Sequence, residues 1–299
     1  MGKAAPFRRV RRALSQKFER AVDRAVGARL ESMDDHLTRL DDRLVRLADL
    51  SASTFDRIPE LRRMLLAART SEEYDRAQSD PEPLVTIRIP TYVRSQLLVE
   101  RALPSIMRQT YQKFEVIVVG DGCTNDTAAR IEAFGDPRVR FVNLPYRYPY
   151  SEDPERRWKV AGAPGVNVGT ELANGSWLAM LGDDDELDPC HLECLLDAAR
   201  STRSEMVYGN ILERRPPPDR DCIHARYPPE LGHFNFQAAL FMSALRFFEF
   251  ATDSWLVDEP SDWNLCRRML EAGVRIGYVD RVVTTWYPSK LFDPGQAGE

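Results

Sequence analysis

Asp183, Asp184, Asp185, Glu186 and Asp188 crowd the few positions that follow the apolar run Trp177 to Leu181. Like charges this close repel one another unless a cation or water relieves them. Carboxylates are hard oxygen donors, and the divalent ions that suit them are Mg2+ and Mn2+. An ion held there could bridge two phosphates of a nucleoside diphosphate and neutralise the charge on a leaving group. On local acidity alone, the same run also reads as a solvated turn capping the helix that begins near Pro189. Two further acids stand at comparable places: Asp121 in Gly120-Asp121-Gly122, and Asp262 at the start of the stretch to Ala272. Spacing alone makes the first a turn residue and the second a helix N-cap.

The elements that position these acids follow from periodicity. Leu84 to Ile89 and Phe114 to Val119 read as strands, and Ser95 to Tyr111 between them as helix, which makes a βαβ unit and a parallel sheet. Further strands are expected at Val139 to Val142, Trp177 to Leu181, Met206 to Tyr208 and Arg275 to Val279. Helices are expected at Gly165 to Ala173, His191 to Thr202 and Asp262 to Ala272. Open α/β sheets bind ligands beyond the carboxyl ends of their strands. Three loops therefore matter: Pro90-Thr91-Tyr92, Gly120 to Asp126, and Gly182 to Glu186.

Asp80-Pro81-Glu82-Pro83 breaks the chain, because proline lacks a backbone donor and holds its predecessor extended. Residues 1–80 read as a helical extension and 81–299 as the α/β domain. Within the extension, Leu30, Met33, Leu37, Leu40, Leu44 and Leu47 fall on one helical seam. That seam predicts either coiled-coil self-association into a homo-oligomer or a helix packed on its own catalytic domain. Upstream, Phe7, Val10, Leu14, Phe18 and Val22 form a stripe flanked by arginines. Such a helix can make peripheral contact with an anionic membrane, or extend the coiled coil into water.

With 43% hydrophobic and 29% charged residues among 299, and a net charge of −5, the chain has material for a core and no general affinity for nucleic acid. Five cysteines, an odd number without zinc-type CxxC pairs, point to a reducing compartment, hence a cytoplasmic protein. No run approaches the roughly 18 apolar residues of a spanning helix, and the first residues lack the apolar centre of a secretory signal.

Three blocks carry a family resemblance: VTIRIPTY (85–92), SIMRQTYQKFEVIVVGDGCTNDT (105–127) and NVGTELANGSWLAMLGDDDELDP (167–189). In that order they resemble the family 2 glycosyltransferases over about residues 84–290, with the helical N-terminus outside the match. The resemblance implies a GT-A fold, Rossmann-like and mostly parallel, flanked by helices. It implies inverting transfer from a nucleotide-sugar donor, a UDP-sugar by default, to a hydroxyl of a glycan, lipid-linked or protein acceptor. Pro90, Thr91 and Tyr92 then line the nucleoside pocket, Asp121 accepts a hydrogen bond from the base, and Asn167 and Asp183 lie on the donor side. Asp184, with Asp185 or Asp183, takes Mn2+ or Mg2+. Pro260 to Leu265 matches the segment bearing the base, which makes Asp262 the candidate, with Glu259 and Asp258 as substitutes.

The sequence also departs from the family pattern. Gly182 and Gly120 stand where aspartates are usual, and Val166 where an arginine is frequent; Arg156, Arg157 or Lys159 could replace the latter. These departures support a rival reading, a non-catalytic nucleotide-sugar binder or coiled-coil scaffold. His224 and His233 carry no assigned role, and Cys190 and Cys194 read as small buried hydrophobes. Ala238 to Phe250, with Trp255 and Trp263, offers apolar walls to an acceptor or a cover for the sheet. A lipid-linked acceptor would bring the protein to the inner face of the membrane.

Overall fold

The computed structural model describes residues 57–288. The Leu30 to Leu47 seam and the basic Phe7 to Val22 stripe lie outside the described residues. The compact unit begins at Asp56. Its first elements are helix α1 (57–68) and helix α2 (Glu72–Ser79). Leu61 and Leu65 of α1 are buried. Both helices are tied to the sheet through Glu205, whose carboxylate takes Arg69 Nε at 2.6 Å and the Tyr74 hydroxyl at 2.7 Å. Residues 57–79 thus belong to the same packed body as the sheet.

Among the described residues, nine strands form one sheet in the order β3-β2-β1-β4-β8-β6-β9-β5, with β7 added beside β6. They are β1 (Val85–Thr91), β2 (Phe114–Gly120), β3 (Val139–Asn143), β4 (Trp177–Met180), β5 (Glu186–Leu187), β6 (Met206–Glu213), β7 (Cys222–His224), β8 (Ala239–Met242) and β9 (Ile276–Trp286). The β3-β2-β1-β4 half is parallel throughout. Strand β8 runs antiparallel to both β4 and β6, and β9 is parallel to β6. Those two reversals leave β6 and β9 pointing the same way as β1, so six carboxyl ends share one rim. The sequence expectation of a mostly parallel sheet holds, and the C-terminal half adds the antiparallel members.

The helices are α3 (Ser95–Leu97), α4 (Leu103–Met107), α5 (Thr127–Phe134), α6 (Pro154–Val160), α7 (Ala163–Glu171), α8 (His191–Thr202) and α9 (Ser261–Ala272). A π-helical turn, Leu98–Ala102, joins α3 to α4. Helix α8 shows why they form: Leu192, Leu195, Leu196 and Ala199 recur at three- and four-residue steps and are all buried. Burying an apolar side chain of this size stabilises the fold by about 1.5–3 kcal/mol.

The expectations for the C-terminal half need three corrections. Strand β6 continues to Glu213 and β9 to Trp286, well past Tyr208 and Val279. Within the apolar stretch Ala238 to Phe250, residues Ala239–Met242 form a fully buried strand inside the sheet. Sequence periodicity does not separate such a short strand from a covering segment, because both faces are apolar.

Candidate active site

The loop after β4 is the centre of the site. Asp183 is buried; its Oδ2 accepts the Thr91 hydroxyl at 2.8 Å and its Oδ1 lies 3.4 Å from Arg94. Asp184 is half-buried and pairs with Arg94 at 2.7 Å, while its backbone carbonyl accepts Arg101 at 2.7 Å. Asp185 is 3% exposed and accepts the Tyr287 N–H at 2.8 Å. Gly182 explains why the family's usual first aspartate is missing. A Cβ at Gly182 would meet Asp185 Oδ2 at 2.7 Å and Asp184 Oδ1 at 3.3 Å, so the Asp184 and Asp185 carboxylates already fill that space.

Burial makes these charges costly, and their proton affinities register it. Desolvation pushes the Asp183 carboxyl up to about 6, the Arg94 guanidinium holding it lower than burial alone would. Desolvation, with the Asp184 charge beside it, pushes Asp185 up to about 7. Asp184 is raised by burial as well. None of the three carboxylates is fully exposed: Asp183 and Asp185 are buried and Asp184 half-buried, and Asp184 Oδ1 and Asp185 Oδ2 lie within 3.3 Å of the point a Gly182 Cβ would occupy.

Thr91 and Asp121, two of the residues expected at a nucleoside, meet at the end of β2. Thr91 and Gly120 are register partners, and the Asp121 N–H donates to the Thr91 carbonyl at 2.8 Å. The Asp121 carboxylate accepts the Tyr148 N–H at 2.8 Å. Pro90 packs against the start of α7, where Cβ atoms at Gly162 and Gly165 would lie 3.0 and 3.2 Å from its ring. The Tyr92 ring lies 4.1 Å beneath the Arg147 guanidinium, a cation–π contact. Gly120 also has a physical reason: a Cβ there would meet Asn143 Oδ1 at 2.5 Å. Asn143 instead holds the loop, accepting from the Cys123 N–H and donating to its carbonyl.

Asn167 does not join this group. Its amide donates to the Phe250 carbonyl at 2.8 Å and accepts the Phe250 N–H at 2.9 Å, so both ends brace α7 against the segment after β8. Of the basic substitutes for Val166, Lys159 pairs with Asp258 and Glu155, and Arg156 lies over the Trp255 ring. Arg157 is half-buried beside them on α6.

Asp262 is the second residue of α9, whose N-cap is Pro260, so capping does not account for it. Its Oδ1 accepts the Trp263 N–H at 2.7 Å, and no basic side chain pairs with it among the described residues. Desolvation pushes its carboxyl up to about 6. Glu259 is committed elsewhere, to Arg267 at 2.7 Å and Asn264 at 2.7 Å. Asp258 is exposed and bound to Lys159.

Four arginines at the rim escaped the sequence reading. Arg94, Arg101 and Arg108 recur every seven residues, two helical turns, and line the acidic loop in order. Arg94 reaches Asp183 and Asp184, Arg101 the Asp184 carbonyl, and Arg108 the Glu186 carboxylate at 3.5 Å. That spacing was the available signal. Arg147 lies in a loop and had none.

Comparison with known proteins agrees with this architecture. The family model for glycosyl transferase family 2 matches residues 86–254, more than half of the chain. Glycosyltransferase GlyG of Streptococcus pneumoniae is 28% identical over 129 residues, 42% of this chain and 38% of that protein. The GalNAc(5)-diNAcBac-PP-undecaprenol beta-1,3-glucosyltransferase of Campylobacter jejuni is 30% identical over 133 residues, 44% of this chain and 38% of that protein. The match thus spans little more than a third of these relatives' length. In fold, the chain resembles residues 1–349 of Staphylococcus aureus TarS in complex with UDP, with a TM-score of 0.54, 16% identity, and coverage of 70% of this chain and 62% of that one. A rim with carboxylates gathered at the ends of parallel strands, and a family match over the segment that builds it, place this chain in glycosyl transferase family 2.

Proposed function

We propose that this chain is an inverting glycosyltransferase that moves a sugar from a nucleoside-diphosphate donor, a UDP-sugar by default, to an acceptor hydroxyl with a divalent metal. One observation carries the reading: Asp184 Oδ1 and Asp185 Oδ2 converge on the space above Gly182, within 3.3 Å of a single point. Two hard, converging, partly desolvated oxygens fit Mn2+ or Mg2+. When bound, the ion would neutralise charge developing on the diphosphate leaving group.

The chain's own residues have separate tasks in this reading. Tyr92, with Arg147 above it, and Asp121 hold the nucleoside, while Thr91 fixes Asp183 toward the ribose or donor sugar. Arg94 balances Asp183 and Asp184 before the donor arrives. Asp262, whose carboxyl titrates near 6, is ionised at pH 7 and accepts the proton of the attacking hydroxyl. Attack from the face opposite the leaving nucleotide inverts the anomeric centre. Asn167 braces the fold on this account and does not touch the donor.

The acceptor is a glycan, lipid-linked or protein hydroxyl; the Campylobacter jejuni relative's name supports a lipid-linked one. Among the described residues, no helix is long and apolar enough to cross a membrane. We assign a cytoplasmic site of action, at the inner membrane face if the acceptor is lipid-linked, with residues 1–55, ahead of the compact unit, as the oligomerising and membrane-contacting extension. The test is a thermal-shift screen of nucleotide sugars with and without Mn2+, because ligand binding to the native state raises apparent stability by mass action. A stabilising pair then enters a transfer assay with product anomer analysis. A retained anomeric configuration, or no metal-dependent shift with any donor, overturns the reading.

A further inference from the structure

Cys222 and His224 stand two residues apart on β7, so their side chains share one face of the strand. The antiparallel register of β7 with β6 sets Cys222 directly opposite Glu213, which adds a carboxylate to that face. One donor atom from each of these three side chains lies within 4.8 Å of the other two. His224 Nε2 is already 2.7 Å from Glu213 Oε2. The His233 ring lies 6.1 Å from the His224 ring, centroid to centroid.

We propose that Glu213, Cys222 and His224 bind a zinc ion, with His233 or a water as fourth ligand. A thiolate and an imidazole beside one carboxylate make a donor set of borderline softness, which suits Zn2+ and disfavours Mg2+ or Mn2+. Coordination takes Cys222 as the thiolate, its proton passing to solvent. Arg215 bonds both Glu213 oxygens, each at 2.8 Å. A zinc ion on Oε2 leaves Arg215 Nε on Oε1, the outer hydrogen bond that a ligating carboxylate ordinarily keeps. Strand pairing assembles this cluster, which is why it has no zinc-type spacing in the sequence.

The location gives the site a purpose. Glu213 ends β6 at the active rim and is register partner to Trp286 of β9. The next residue, Tyr287, donates its N–H to Asp185. Zinc therefore closes the base of the 214–221 loop one strand away from the acidic loop, and steadies the strand end that holds Asp185.

The test uses the full chain, purified without added metal and dialysed against a weak chelator. Elemental analysis is expected to find about one zinc per chain in the wild type and in Asp184→Ala, and to find it lost in Cys222→Ser and His224→Ala, with affinity down by at least about tenfold. Cobalt reconstitution supplies a readout that folding defects do not mimic. The wild type should show a thiolate-to-cobalt charge-transfer band in the near ultraviolet, absent from Cys222→Ser while circular dichroism is unchanged. Zinc content no higher in the wild type than in Cys222→Ser, zinc lost with Asp184→Ala, or a cobalt spectrum without the thiolate band would each overturn the proposal.

Discussion

The rim acids on the β1–β4 side and the one on the α9 side meet burial differently. Asp183 takes Thr91 and Arg94, Asp184 takes Arg94, Asp185 takes the Tyr287 N–H, and Asp121 takes the Tyr148 N–H. Asp262 takes the N–H of its own neighbour and, among the described residues, no base. Each of those four carboxylates is held by a partner from another segment of the chain. Burial raises Asp183, Asp185 and Asp262 alike, so proton affinity does not set Asp262 apart; its place at the start of α9, away from the loop after β4, does. Under the proposed function, this contrast assigns binding to the acids beyond β2 and β4 and proton transfer to Asp262 on α9.

The hardest blow to that division is Asp184→Ala. Transfer should fall by about a thousandfold or more, because electrostatic support of the leaving group is usually the largest contribution to catalysis. The Mn2+-dependent thermal shift should vanish with it, while circular dichroism stays unchanged. A variant that retained metal-dependent turnover would remove the acidic loop from the chemistry. Next comes Asp262→Asn, expected to cost about a hundredfold to ten-thousandfold in turnover. Donor affinity by calorimetry should be preserved, which is the outcome that separates the two halves; equal loss of donor binding would erase the distinction.

A pH profile sharpens the same line. Turnover of the wild type should drop as pH falls through about 6, where the Asp262 carboxyl takes up its proton. Metal binding should weaken over a higher range, since Asp185 titrates near 7. In Asp262→Asn, the metal-binding profile should remain while the step in residual turnover near 6 disappears.

The parallel half of the fold was legible because its signals are local. Strands β1 and β2 read as buried apolar runs, and α8 matched its observed limits of His191 and Thr202. The acidic loop and Asp121 stood out because each follows such a run. The C-terminal half was less legible, since β5 and β7 are two- and three-residue strands held by pairing and carry little pattern of their own. Arg88 marks another limit: a charge in the middle of β1 argues against burial, yet it is 1% exposed. It survives by donating to the Ala179 carbonyl and the Thr170 hydroxyl, with burial pushing its proton affinity down to about 9. Only the tertiary fold supplies those acceptors. The bracing use of Asn167 was equally invisible, because Phe250 lies 83 residues away.

The smallest effect concerns stability. Asp185 has a folded-state value of about 7 against an ordinary 3.8, so the native state holds its proton more tightly than the unfolded chain does. The stability this confers is complete below pH 3.8 and is lost as pH rises through 7. Asp185→Asn keeps an oxygen for the Tyr287 N–H and removes the charge. It should therefore match the wild type near pH 4 and exceed it at pH 8, by roughly 2–4 °C in Tm for each kcal/mol in a body of this size. Mn2+ should reverse the order at pH 8, because an ion at a hundred times its dissociation constant stabilises the native state by about 2.7 kcal/mol and the variant has lost a ligand. If the variant's advantage survived saturating Mn2+, Asp185 would be a buried acid with no cation to serve, and Asp183 would have to join Asp184 in its place.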